Sequence, residues 1–364
     1  MTKKLLFLLV LLLTATMSTW AQEPTTYSVK MADATDAEAA NWTIASGSSS
    51  VKGNVADGLT GLKENDAVTV TYTGTKKVKS VKAVKKVAPA FAADEYNEAS
   101  WDDTNKKVVF EKKKATTTPV AVADATTNVT WGAGWYTVSG TVTITGNVTL
   151  GADTYLILQD GATLTINGQL DCRTNKKNLY IYGQKKGDGK LNVSNNSGIA
   201  INSEWNYRID IHGGEVTASA AGYSNYGLYT GYLAVYGGKL TATSGDRNGI
   251  LFNKTFDVYG GEVVATSNST LPVYYGIGSG SDSASQILTV YGGKVTATGN
   301  GLSGTGSEYG SGFGCYVKSG TSGIKFYFSA DGTTWDEGTG YASATKVGLS
   351  NADAATKKRY AKAE

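Results

Sequence analysis

The chain has 364 residues, 34 Lys and Arg against 31 Asp and Glu, and only 18% charged residues. A net charge of +3 at this size singles out neither a nucleic acid nor an acidic surface as partner. One His and two Cys remove most metal-centre and triad chemistry, while 45 Gly and 22 Tyr favour strands and tight turns over helices.

Residues 1–21 read as a secretory leader. Lys3 and Lys4 precede an apolar run over 5–13, and Thr19-Trp20-Ala21 makes a small-x-Ala exit before Gln22. The run is too short for a bilayer span, which takes about 20 residues, and no later stretch qualifies as a transmembrane segment. No Cys follows the exit to carry a lipid. The expectation is an exported protein, secreted or held at the cell surface.

Residues 22–118 carry strand-like segments at 27–31, 67–74 and 107–111, parted by Ser/Gly and Asp/Ala stretches, which predicts a small β-sandwich-like module. Within it, residues 76–86 hold six lysines in eleven positions. Arg is scarce and no aromatics interleave, which argues against nucleic-acid binding; a Lys-protected edge strand accounts for the run.

Residues 119–318 repeat. Gly, a polar residue, then Val or Leu recurs at Gly146, Gly168, Gly189, Gly214, Gly238, Gly261 and Gly293, in steps of 22, 21, 25, 24, 23 and 32 residues. A drifting period in the low twenties predicts a right-handed parallel β-helix of about seven coils with three strands each. Alternating apolar residues mark the first strand (Leu179 and Ile181, Ile209 and Ile211, Leu233 and Val235, Phe256 and Val258, Leu288 and Val290), with the residues between them facing out. Val216, Leu240, Val263 and Val295, followed by Ala218, Ala242, Ala265 and Ala297, mark the second. Ile199, Leu228, Ile250 and Ile277 mark the third. Cys172 is placed in the column of Val193 and Ala218. Cys315 lies five coils away, roughly 24 Å at strand spacing, too far for a disulfide.

Residues 319–364 carry an Asp331-Gly332 turn between two strand-like runs, then a Lys- and Ala-rich tail of helical composition. A hairpin there would cover the open end of the solenoid.

Stacking turns each position into a column. Lys190, Glu215, Lys239, Glu262 and Lys294 alternate in sign, which sets register and solubility. Tyr182, His212, Tyr236, Tyr259 and Tyr291 form an outward strip beside Tyr180, Asp210, Ala234, Asp257 and Thr289. An exposed strip of this kind suits a sugar polymer: ring faces take the apolar side of a pyranose, and phenol, carboxyl and hydroxyl groups take its hydroxyls. Aromatics stacked at strand spacing also stabilise a solenoid with no ligand at all. The densest cluster, Arg208-Ile209-Asp210-Ile211-His212, offers with Tyr182 and Tyr236 a cation, a base and a phenolic acid. No paired carboxylates stand opposed for glycoside hydrolysis. Asp210 and Asp257, roughly 9.6 Å apart, are too distant to share a calcium ion.

The units YGGKLTAT and HGGEVTAS, over residues 130–318, resemble pectate-lyase-like parallel β-helix proteins of gut and oral Bacteroidetes that are described as carbohydrate-binding. AVTVTYTGTKKVKSVKAVKK resembles a module near the start of secreted proteins of those bacteria. The resemblance implies an extracellular role on polysaccharide, and some such relatives bind acidic pectic polymers with calcium. The Asn-Thr-Asp, Gly-His-Gly and Arg-Ile-Lys motifs of polygalacturonase-like enzymes are missing, and Asp102-Asp103 lies outside the repeats, so no family active-site residue carries over.

The sequence therefore predicts an exported, non-catalytic polysaccharide-binding protein or surface adhesin. Its expected glycan-binding residues are Tyr180, Tyr182, Asp210, His212, Tyr236, Asp257, Tyr259 and Tyr291, with no metal site and no cofactor, calcium staying open with no ligand cluster to support it. One alternative is a polysaccharide lyase for acidic glycans using Arg208, His212 and Tyr236, with a cleft wall from the long loop over 267–285. The other is a structural surface protein with no glycan ligand.

Overall fold

A computed structural model describes residues 91–364 except 223–224, 270–273, 300–310 and 349–358, together with seven strands before residue 91. The chain divides into two compact units, Met1–Ala90 and Phe91–Glu364. The boundary falls earlier than the sequence placed it, so residues 91–118 belong to the repeat-bearing unit. All described elements are strands.

The first unit holds two small antiparallel sheets. One orders Leu5–Val10, Ala67–Tyr72, Trp42–Ser46 and Ser49–Lys52; the other orders Leu59–Leu62, Tyr27–Met31 and Val81–Lys85. The apolar run of the leader-like segment thus includes a strand paired to Ala67–Tyr72. Val81–Lys85, from the lysine run, is an edge strand beside Tyr27–Met31.

The second unit is a parallel β-helix. Its first face, which we call the aromatic face, runs from Gly134–Val138 through Thr154–Leu158, Leu179–Gly183, Arg208–Ile211, Tyr232–Val235, Thr255–Val258 and Ile287–Val290 to Phe313–Ser319. The charge face runs from Thr141–Ile144 to Lys294–Thr298. The third face carries Leu170–Asp171, Ile201–Asn202, Leu228–Thr230, Ile250–Phe252 and Ile277–Ser279. Alternation produces this form because inward Leu, Ile, Val and Phe from the three faces meet in one core. Leu179, Ile209, Leu233, Phe256 and Leu288 are buried, as are Val216, Leu240, Val263 and Val295, each contributing about 1.5–3 kcal/mol of burial. The Ala218, Ala242, Ala265 and Ala297 column is buried where the core narrows.

The Gly-Gly pairs sit at the corner between the aromatic and charge faces. Gly261 has φ +77, and a Cβ there would lie 2.5 Å from Gly238 O, so only glycine fits the turn.

Three expectations shift by register. Thr163 pairs with Lys190 and Leu170 with Ile201. Gly146 and Gly168 therefore precede third-face strands, and the equivalents of Gly189 in those coils are Gly140 and Ala162. Ile201, not Ile199, stands in the column of Leu228. Cys172 lies at the end of its third-face strand, its N–H donating to Asn202 O, and not in the column of Val193. Both cysteines are nonetheless free and buried.

The described tail, Tyr360–Ala363, is a strand and not a helix. It runs antiparallel between Lys294–Thr298 and Phe326–Ser329, because the last charge-face strand has no further coil to satisfy its ladder groups. Phe326, Phe328, Tyr341 and Val347 are buried over the end of the core. Asp331 closes the hairpin turn by accepting from Thr333 N and Thr334 N at 2.8 Å each.

Candidate functional site

The two columns predicted on the aromatic face exist in the predicted register: Tyr180 pairs with Asp210, Asp210 with Ala234, Ala234 with Asp257 and Asp257 with Thr289. The neighbouring rings form a continuous stack. Tyr182, His212, Tyr236, Tyr259 and Tyr291 follow one another at centroid distances of 4.6, 4.9, 4.7 and 4.6 Å, with interplanar angles of 8–17°. Rings stacked this way hide their faces against each other. The expectation that these faces receive a sugar is corrected on that ground.

The expectation of an exposed strip is also corrected, by a hairpin. Glu95–Asp102 and Lys107–Lys114 pair antiparallel around a turn in which Asp102 Oδ1 accepts from Thr104 N and Asn105 N at 3.0 Å each. Tyr96 sits 4.8 Å from the Trp135 ring and 4.5 Å from Tyr182. Trp101 sits 5.6 Å from Tyr259 and 5.5 Å from Tyr291. Tyr182 is left 4% exposed, and Tyr236, Tyr259, Tyr291 and His212 are half-buried. The first glycines of the Gly-Gly pairs make room for the second hairpin strand: a Cβ on Gly260 would lie 2.9 Å from Val108 Cγ2.

Polar contacts fix the hairpin in place. Gln184 Nε2 donates to Ala92 O at 2.7 Å and Glu95 O at 2.8 Å, Thr137 Oγ1 donates to Ala93 O at 3.0 Å, and Trp135 Nε1 donates to Thr116 Oγ1 at 3.1 Å. His212 Nδ1 lies 2.7 Å from Ala99 O; a carbonyl only accepts, so Nδ1 carries the proton. Burial holds the His212 pKa below its ordinary value, against the pull of the Ala99 carbonyl. The ring predicted as a base is therefore clamped between two tyrosines with one nitrogen engaged.

Arg208 is also committed, its Nε donating to Asp210 Oδ1 at 2.7 Å and Oδ2 at 2.6 Å. Burial raises the Asp210 pKa in spite of that guanidinium. Burial likewise raises Asp257, against a hydrogen bond from Thr255 Oγ1. Asp210 is 6% exposed and faces Asp257 across the small Ala234. Among the described residues no group of three or more His, Cys, Asp or Glu side chains is placed to hold a metal ion. The loop over 267–285 lies partly outside the described residues.

Among the described residues no ring of the hairpin stacks on Tyr155 or Tyr180, in the neighbouring column of the face. Tyr155 and Tyr180 stack there at 4.9 Å and 10°, with Trp135 on the other side of Tyr155 at 4.8 Å, and both are half-buried, as Tyr236 and Tyr259 are. Arg208 and Tyr232, paired on adjacent coils, are half-exposed beside them. The sequence reading missed Tyr155, Tyr96, Trp101 and Gln184. Tyr155 was detectable, being one coil before Tyr180. No family model matches the chain, and neither a curated protein nor a solved structure is significantly similar to it.

Proposed function

We propose that this protein is a non-catalytic, polysaccharide-binding β-solenoid that works outside the cell or at its surface and binds along the open margin of the aromatic face. The observation that carries this reading is the partly exposed group of Tyr155 and Tyr180, stacked in one column, and Arg208, on the next coil and two positions earlier along its strand. Two phenol edges about 4.8 Å apart along a rod and, one coil on, the Arg208 nitrogens other than the Nε that Asp210 holds offer hydrogen bonds to a chain of sugars rather than to one small molecule. The engagement of His212 by Tyr182, Tyr236 and Ala99, and of Arg208 by Asp210, supports binding over elimination chemistry. Affinity electrophoresis through gels of neutral and acidic polysaccharides tests the reading. Retardation by a polymer, reduced in Tyr180→Ala and retained in Tyr259→Ala, is expected; equal loss in both variants would remove the division of the face.

A second reading is a structural surface rod with no glycan ligand. The hairpin over the ring stack favours it, since the stack then has a sufficient role in stability. Migration unchanged in every gel of the panel would select it.

A further inference from the structure

At the corner where the third face turns into the aromatic face stands a ring that stacks on no other among the described residues. Trp205 is 57% exposed, and among the described residues Val120 is the other exposed large apolar side chain. Scattered exposed apolar residues are ordinary, but this one stands on a pinned loop. Ser203 N donates to Tyr229 O at 2.8 Å, and Tyr207 O accepts from Tyr232 N at 3.0 Å and Thr230 Oγ1 at 3.2 Å. The loop lies directly on Gly231, where a Cβ would come within 2.6 Å of Trp205 O. Arg173 Nη1 holds Glu204 at 3.2 Å. A large amphipathic ring is thus presented on ordered backbone, the arrangement that keeps the ordering cost of binding low.

The charges at the same corner indicate the ligand class. The pairing of Leu179 with Ile209 and Ile209 with Leu233, and then Leu233 with Phe256, puts Lys177, Tyr207, Gly231 and Lys254 in one column, two positions before those residues. Lys177 is therefore one coil before the Trp205 loop and Lys254 two coils after it, roughly 5 and 10 Å along the rod. Among the described residues neither lysine makes an ion pair. The carboxylates nearby are engaged: Glu204 by Arg173, Asp210 by Arg208, Asp171 by Arg173 N and Thr174 N, and Asp153 by Asn178. Two lysines with no carboxylate partner among the described residues, one coil before and two coils after an open indole, fit a polymer that carries repeated negative charge.

We propose that Trp205, Lys177 and Lys254 form a binding corner for an anionic polysaccharide, the indole taking a sugar ring and the lysines its carboxylate or sulfate groups without a bridging metal ion. This rests on the polysaccharide-binding reading above and extends it to a site off the aromatic face.

The test measures binding of the full chain, in EDTA, to immobilised polygalacturonate, chondroitin sulfate and unmodified dextran. Binding to at least one of the two anionic polymers, weakened by raising salt from 0.05 to 0.5 M, is expected; the carboxylated and sulfated arms identify which group is recognised. Trp205→Ala should weaken it at least about tenfold. Lys177→Gln with Lys254→Gln should weaken it and flatten its salt dependence. Trp205 is exposed and Lys177 and Lys254 are half-buried, and an unchanged melting temperature in each variant shows that the fold is intact. Dextran bound as tightly as the anionic polymers, or a Trp205→Ala change within twofold, would overturn the corner while leaving polysaccharide binding in place. No binding to any of the three polymers would overturn the corner outright, and a gel panel that also showed no retardation would take the broader reading with it.

Discussion

Removing the Tyr96 side chain should release the hairpin. Tyr96 is 5% exposed and lies against Trp135 and Tyr182. Burying roughly 150 Å² of aromatic surface at about 25 cal/mol per Å² is worth about 4 kcal/mol, within the roughly 3–5 kcal/mol range for truncating buried aromatics to Ala. The hairpin opens as a unit tied to one face, so the loss falls on its own docking equilibrium more than on global unfolding of the rod. Native-state hydrogen exchange reads that equilibrium directly. In Tyr96→Ala, amides of Glu95–Asp102 and Lys107–Lys114 should lose protection by about 10²–10³, each factor of ten being about 1.4 kcal/mol. Ser100→Ala, exposed on the same strand, should change it by less than about 0.5 kcal/mol. Protection within threefold of the unmodified chain in Tyr96→Ala would refute the packing argument.

Further expectations follow from the same packing. His212 is the one histidine of the chain and its folded pKa is lowered. The unfolded chain therefore takes up the proton first: the stabilising contribution is full above a pH of about 6.5 and is lost as pH falls below it toward the folded pKa. Hairpin protection should decline over that window, and the difference from His212→Gln should vanish if the histidine is not the cause. Lys239→Glu replaces the 3.0 Å pair with Glu262 by repulsion from Glu215 and Glu262. It should cost about 0.5–1 kcal/mol in low salt and less at 1 M salt, read from urea midpoints. Cys172 and Cys315 are fully buried, and burial pushes both thiols far above their ordinary pKa. A thiol reagent should label neither in the native state and both in denaturant.

The solenoid was legible because its code is local. Leu233-Ala234-Val235 and its copies alternate with period two, and stacking of like on like places Ala218 over Ala242 without long-range information. The register of the first coils was not legible, because Gly168-Gln169-Leu170 and Gly189-Lys190-Leu191 share a pattern but precede different faces; only the pairing of Thr163 with Lys190 separates them. The hairpin was not legible as a cover. Nothing in EYNEASWD states which column receives Tyr96 and Trp101, since those contacts join residues far apart in the chain. The tyrosine columns were read correctly as outward, but outward on a strand is not exposed when another element lies on it. Trp205 escaped notice because it falls in a loop outside every repeated column.

The claim at the centre of this account is that the hairpin covers the ring stack at Tyr182 and that the Trp205 corner is open. Hydroxyl-radical footprinting of the full chain, resolved residue by residue by mass spectrometry, addresses both halves at once. The account predicts fast oxidation of Trp205, intermediate oxidation of Tyr155 and Tyr180, and protection of Tyr96 and Tyr182. Oxidation of Tyr182 as fast as that of Trp205 would contradict it, because the stack would then be open and the hairpin would not be its cover.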